Sequence, residues 1–211
     1  MDELIYEREY AARGFFAVAG VDEAGRGPLA GPVVCAAVIL PLDEALRIRG
    51  VDDSKKLSAK RREELAVRIR AVARAYAVEE VPAQVIDEIN ILQATRLGMK
   101  RAVERLSPPA DMVLTDGNMT LDITLPQRSI VKGDALVCSI GAASILAKVY
   151  RDALMAEYAK LYPEYAFERN AGYGTKAHIR AIREVGACPI HRRSFITKFW
   201  DGRERSSSAN T

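Results

Sequence analysis

Three separate β-prone segments of this chain each run into an acidic residue beside glycine, and that repeated ending constrains the fold more than any other feature. Phe15-Phe16-Ala17-Val18-Ala19-Gly20-Val21 leads into Asp22-Glu23 and the turn Ala24-Gly25-Arg26-Gly27-Pro28. Met112-Val113-Leu114-Thr115 leads into Asp116-Gly117, and Arg128-Ser129-Ile130-Val131 leads into Lys132-Gly133-Asp134. A further apolar run from Val33 to Leu40 follows Gly31-Pro32 and stops at Pro41, which predicts two buried strands joined by a turn. Helical periodicity fills the intervals. Ser58 caps a predicted helix to about Ala75, in which Leu65, Ile69 and Val72 recur at helical spacing. A strand from Tyr76 to Val81 stops at Pro82, and helical segments over 82–90 and 91–106 end before Ser107-Pro108-Pro109. Leu136, Ile140, Ala143, Ala147, Tyr150, Leu154 and Tyr158 predict one long helix over 135–160. This order of elements specifies an α/β fold, a mixed β-sheet flanked by helices.

The chain has 211 residues, 49% hydrophobic and 28% charged, which excludes low-hydrophobicity disorder as its general description. One domain over 1–200 and a disordered tail over 201–211 are expected. The net charge of +3 is too small to establish a polyanionic partner by itself. No run approaches the roughly 18 apolar residues of a membrane span, and Met1-Asp2-Glu3-Leu4 lacks the basic start of a signal peptide. A cytoplasmic location with no membrane partner is therefore expected. Cys35, Cys138 and Cys188 lie far apart in apolar surroundings and read as core thiols.

Asp22, Glu23, Asp116 and Asp134 share strand-end positions, where the rim of an α/β sheet binds ligands. Any one of them alone is an ordinary turn residue. Together they carry a cost, because two carboxylates about 4 Å apart repel by roughly 4 kcal/mol at an effective dielectric near 20. Convergence would call for cations, and an all-oxygen set in a chain with only His178 and His191 as imidazoles favours Mg²⁺ or Mn²⁺ over zinc. Neighbours on a strand point to opposite faces, so Asp22 and Glu23 both reach one metal only where the strand ends or bulges; otherwise Glu23 contributes through its carbonyl.

Gly25-Arg26-Gly27-Pro28-Leu29-Ala30 fits the spacing of a dinucleotide fingerprint, but Pro28 and Pro32 are followed by an apolar strand where that motif needs a helix. Its free amides suit close approach to a nucleic-acid sugar or phosphate instead. Asp53-Ser54-Lys55-Lys56 and His191-Arg192-Arg193-Ser194-Phe195 supply cations and hydroxyls for phosphates, or else are ordinary basic surface. Tyr173, flanked by Gly172 and Gly174, is either a stacking face or a packed loop residue.

Taken in order, these segments, with Ser139-Ile140 through Ala147-Lys148-Val149-Tyr150-Arg151-Asp152 and Gly172-Tyr173-Gly174-Thr175 before His178, resemble ribonuclease HII, the bacterial type 2 ribonuclease H. The resemblance implies a ribonuclease H-like fold with a small helical C-terminal extension. It implies endonucleolytic cleavage of RNA in RNA–DNA hybrids and on the 5′ side of single ribonucleotides in duplex DNA, leaving 3′-hydroxyl and 5′-phosphate ends. By the same route Asp22, Glu23, Asp116 and Asp134 become the catalytic acids of a two-metal Mg²⁺ or Mn²⁺ site. Gly25, Arg26, Gly27 and Tyr173 become the readers of the ribose–deoxyribose junction, with Ser54, Lys55, Thr175, His178, Arg192 and Ser194 as further substrate contacts. The expected partners are RNA–DNA hybrid and ribonucleotide-containing duplex DNA, bound by a monomer. Two residues depart from the family pattern: Gly141 replaces a usual alanine, loosening the following helix, and Ala171 replaces a usual basic residue. A hybrid-binding module without catalysis is the competing reading, and a small-molecule phosphatase would need neither Tyr173 nor the basic segments.

Overall fold

The computed structural model describes residues 4–43, 46, 48, 50–51 and 57–205. The apolar runs around the glycine-rich turn form β1 (Val18–Ala24) and β2 (Val33–Ile39), paired antiparallel. Strand β3 (Ala75–Val81) adds antiparallel to β2, while β4 (Met112–Asp116) and β5 (Gln127–Ile130) lie parallel on the other side. The order β3-β2-β1-β4-β5 is the mixed sheet expected from the sequence.

Helices cover both faces. Val33, Cys35, Ala37 and Ile39 pack with Ile86, Ala94 and Met99 of α3 (Ala83–Glu104). Val34, Ala36 and Val38 pack with Leu65 and Ile69 of α2 (Ala59–Val72) and with Ala142 and Ile145 of α5 (Cys138–Leu161). Burial on both faces explains why β2 reads as an uninterrupted apolar run instead of an alternating one.

Local polar groups set several boundaries. Ser58 accepts the Arg61 N–H and caps α2 as expected. The expected division near residue 90 is a break inside α3: Asn90 has φ 65°, and its Oδ1 accepts the N–H groups of Leu92 and Gln93. Strand β1 starts at Val18 and not at Phe15 because the Asp111 carboxylate takes the Phe16 and Ala17 N–H groups at 2.7 and 2.9 Å.

The predicted single helix over 135–160 is corrected by the structure. It is divided at Val137, an extended residue between α4 (Gly133–Leu136) and α5. Val137 is buried with Tyr10, Leu114 and Ile140, and Glu7 of α1 (Ile5–Ala11), a helix without a sequence signal, accepts the Ser139 N–H at 2.8 Å. Nor does Gly141 act as a mere loosening of α5. A side chain there would begin 2.3 Å from the Val51 carbonyl oxygen, so the glycine admits a close backbone approach.

Beyond α5, a single 3-10 turn (Pro163–Tyr165), α6 (Phe167–Asn170), α7 (Lys176–Val185) and α8 (Arg193–Ile196) form the small helical extension. Its core joins Tyr165, Phe167, Ile182, Cys188 and Ile196 to Met155 of α5. The expected tail begins too early at residue 201. Ala187 exchanges backbone hydrogen bonds with Arg203 and Arg205, and Arg205 pairs with Glu164 at 2.9 Å, which docks the segment through 205. Residues 206–211 lie outside the described ones. All three cysteines are buried and outside any disulfide, and among the described residues no helix is long and apolar enough to cross a membrane.

Candidate active site

Strand direction brings the first two acids together. Strands β1 and β4 are parallel with Val21 opposite Thr115, so the next residues, Asp22 and Asp116, emerge side by side at the same edge. Asp134 joins them from the first turn of α4. One carboxylate oxygen from each lies within 4.8 Å of the other two. Asp116 Oδ1 accepts the Gly133 N–H at 2.7 Å and the Asp134 N–H at 3.4 Å, which fixes α4 against the strand end. Asp22 is 4% exposed and Asp134 8%. Burial, reinforced by the Glu23 charge and opposed by a hydrogen bond from Ser144, pushes the Asp22 carboxyl well above the usual range. An all-oxygen group crowded in this way fits a hard divalent cation, whose charge would offset both the desolvation and the repulsion.

Glu23 stands beside that group and not within it. The ladder to β2 continues through Asp22↔Ala36, Glu23↔Cys35 and Ala24↔Val34, so β1 does not bulge at the acids, yet the Glu23 carboxyl stays within hydrogen-bond reach of the Asp22 side chain. Burial raises the Glu23 carboxyl too, while Arg26, with Nη1 3.5 Å from Glu23 Oε1, partly offsets it.

The turn after β1 is held from behind by two buried guanidinium groups. Arg192 donates to the carbonyls of Gly31, Arg26 and Gly25 at 3.0, 2.9 and 2.6 Å. Arg151 of α5 donates to those of Pro32, Ala171 and Ala30 at 3.0, 2.9 and 3.0 Å. Gly25 has φ +90°, and a side chain there would begin 2.0 Å from Arg151 Nε, so both conformation and space require glycine. Burial and the nearby Arg151 push Arg192 down to about 9, which leaves it charged at neutral pH. Arg192 is fully buried and three of its five N–H groups go to carbonyls, the geometry of a brace and not of an exposed substrate contact. Arg151 stands in the segment Ala147 to Asp152 that carries the family resemblance, but no role was expected of it.

Tyr173 is 49% exposed, and a side chain built on Gly27 would begin 3.5 Å from its Cε1. The turn and the tyrosine loop are tied by Leu29 N–H to the Gly172 carbonyl at 2.8 Å. Thr175 is exposed and caps α7 by accepting the His178 N–H. His178 is fully buried, so it too is corrected: it cannot touch a substrate on the surface and instead reaches the Tyr173 carbonyl at 2.9 Å. Ser194 gives its hydroxyl to Asp87 of α3 at 2.5 Å, tying α8 down. Ser54 and Lys55 lie outside the described residues. Between Glu23 and Tyr173 opens a cleft of about 280 Å³, also lined by Gly25, Arg62, Ser144 and Lys148. Neither Arg62 nor Lys148 was given a role from sequence; Lys148 pairs with Asp152 at 2.6 Å.

The arrangement therefore sets a carboxylate group suited to a cation at the end of β1, next to a cleft lined by Glu23, Gly25 of the glycine turn and the exposed Tyr173 ring. Comparison with known proteins agrees. The profile of the family described as Ribonuclease HII matches residues 19–198. Ribonuclease HII of Chlorobium luteolum is 56% identical over 194 residues, covering 89% of this chain and 93% of its own. That of Endomicrobium trichonymphae is 55% identical over 191 residues, covering 90% of each chain. The crystal structure of the ribonuclease H2 from Pyrococcus horikoshii OT3 superposes with a TM-score of 0.74 at 28% identity, covering 86% of this chain and 96% of that one. The chain belongs to the ribonuclease HII family, metal-dependent endoribonucleases that act on RNA–DNA hybrids.

Proposed function

We propose that this protein cuts RNA–DNA hybrids and single ribonucleotides embedded in duplex DNA, on the 5′ side of the ribonucleotide, leaving 3′-hydroxyl and 5′-phosphate ends. The observation that carries this reading is the gathering of the Asp22, Asp116 and Asp134 carboxylates within 4.8 Å, on the rim that also bears the Gly25–Gly27 turn. Asp22, Asp116 and Asp134 would hold the divalent ions of a two-metal site, Mg²⁺ or Mn²⁺, with Glu23 completing the set from the adjacent position. When bound, such ions lower the pKa of an attacking water and stabilise the departing oxyanion.

The chain's own residues supply orientation. A ribose differs from a deoxyribose only by its 2′-hydroxyl, so its reader must come close, and Gly25 and Gly27 allow the backbone to do so. Arg192 and Arg151 hold the turn in place, so little ordering is left to be done when substrate arrives. Tyr173 offers its ring as a stacking face beside that turn. Arg26, at 45% side-chain exposure, is free to trade its long contact with Glu23 for a phosphate. The protein works as a monomer in the cytoplasm.

The deciding experiment incubates purified protein with end-labelled duplex DNA carrying one ribonucleotide, in Mg²⁺, in Mn²⁺ and in excess chelator, beside an all-DNA control. Metal-dependent cutting 5′ to the ribonucleotide with the control intact is the expected result. Salt-sensitive binding without cutting would replace the reading with a hybrid-binding module, and the absence of both cutting and binding would overturn it outright.

A further inference from the structure

The C-terminal extension buries two imidazoles in contact, a pair that plays no part in the proposed chemistry. His178 and His191 are 0% and 1% exposed, and their Nε2 atoms lie 2.9 Å apart. Tyr165 and Phe167 wall them in with edge-on ring contacts. Burial pushes both rings down from the ordinary histidine value, His191 to about 3 with help from His178, so both are neutral at working pH.

One order of protons satisfies every contact of 3.1 Å or shorter. A carbonyl can only accept, so His178 Nδ1, 2.9 Å from the Tyr173 oxygen, carries the hydrogen. The neutral ring then has a bare Nε2, and His191 Nε2 must donate to it. That leaves His191 Nδ1 bare; it accepts the Cys188 N–H at 2.9 Å, with Cys188 Sγ 3.1 Å away, while the Cys188 carbonyl, 3.3 Å from the same nitrogen, takes the His191 backbone N–H at 3.0 Å instead. The chain of donors runs Cys188, His191, His178, Tyr173. Its start is fastened to the turn: Gly31 N–H donates to the Ile190 carbonyl, Arg192 N–H donates to the Leu29 carbonyl, and Ala30 bridges His191. Its end holds the loop, where the Tyr173 carbonyl also accepts the Thr175 N–H at 2.8 Å.

We propose that His178 and His191 are positioning residues, a neutral relay of fixed tautomers that locks the Tyr173 loop to the glycine-rich turn and thereby sets where the tyrosine ring meets substrate. The relay deepens the proposed function and, as to substrate, rests on it.

Two kinds of measurement on the full chain test it, spectroscopic ones that are independent of activity and a kinetic one. Nitrogen-15 spectra of the imidazoles without substrate should show both rings neutral, His178 protonated at Nδ1 and His191 at Nε2. A charged ring or the opposite tautomer order overturns the relay. In His178→Gln, amide exchange at Tyr173 and Thr175 should quicken by about tenfold or more, and unchanged exchange overturns the locking.

The second measurement is kinetic, on duplex with one ribonucleotide. His178→Gln should raise KM by about tenfold with kcat little changed, and His178→Asn, whose amide falls near the place of Nδ1, should recover most of the loss. Placed in a Tyr173→Ala background, His178→Gln should cost nothing more. Additive losses, or an Asn variant as impaired as the Gln variant, overturn the positioning role. Should the wild-type protein cut no such duplex, the function reading fails while the spectra and exchange rates still decide the relay.

Discussion

Tyr173 Cε1 lies 3.5 Å from the point at which a side chain on Gly27 would begin, so the aromatic ring and the glycine turn present one continuous surface. Gly27→Val would push its methyl groups into the ring. The expected result is a loss of about tenfold or more in kcat/KM on single-ribonucleotide duplex, with Mn²⁺ binding by calorimetry unchanged. Tyr173→Ala should lose a similar amount, and the double variant little more, because both changes spoil the same contact.

The crowded carboxylates make opposite demands on activity and stability. Asp134→Asn should abolish turnover while duplex affinity survives. In chelator, Asp22→Asn should melt higher than wild type, because the amide removes a buried charge beside Asp116 and Asp134. Each kcal/mol gained is worth about 2–4 °C in a chain of this size. Added Mg²⁺ should raise the wild-type melting temperature and do much less for the variant. A lower melting temperature in chelator for Asp22→Asn would show that the acids are not crowded.

The buried imidazoles give stability a pH dependence with a definite sign. His191 titrates at an ordinary 6.5 in the unfolded chain and at about 3 when folded, so the unfolded state binds the proton first as pH falls. Its contribution is full above 6.5 and is lost progressively towards 3, at no more than about 1.4 kcal/mol per pH unit. Raised carboxyls at Asp22 and Glu23 act in the opposite sense, so the comparison must be with a variant that retains them. Urea unfolding at about pH 7.5 and about pH 4.5 should show the wild-type advantage over His191→Gln shrinking at the lower pH. A constant difference contradicts the assignment.

Arg192→Lys keeps the charge but not the planar fork that spans the Gly25 and Arg26 carbonyls. The expected cost is about 2–3 kcal/mol in urea unfolding, with discrimination between ribonucleotide-containing and all-RNA strands falling as the turn loosens. Unchanged discrimination at reduced stability would leave Arg192 as a brace for the fold alone.

The strand ends were legible because two independent signals coincide there, an apolar run and an acid beside glycine; Asp22, Asp116 and Asp134 follow from that alone. Parity along β1 also allowed for Glu23 standing apart. Basic residues were far less legible. Arg192 and His178 have the composition of a phosphate site, and sequence does not distinguish a cation facing solvent from one whose donors are consumed by buried carbonyls. The break at Val137 was hidden because the apolar period continues across it; only the Glu7 carboxylate, more than 130 positions away, ends the first turn and begins the next helix. Helix α1 has no side-chain cap and lies before the first clear apolar run.

The pairing of Val21 with Thr115 has a consequence for how the site can be lost. Along β4, Leu114 and Asp116 share one face of the sheet and Val113 and Thr115 the other, so the same alternation that seats the core also aims the acid. A slip of one residue between β1 and β4 would send Asp116 to the far side while leaving apolar residues to fill both layers. Core packing around Leu114 is thus also the sight line of the active site, and a substitution there can silence the protein without unfolding it.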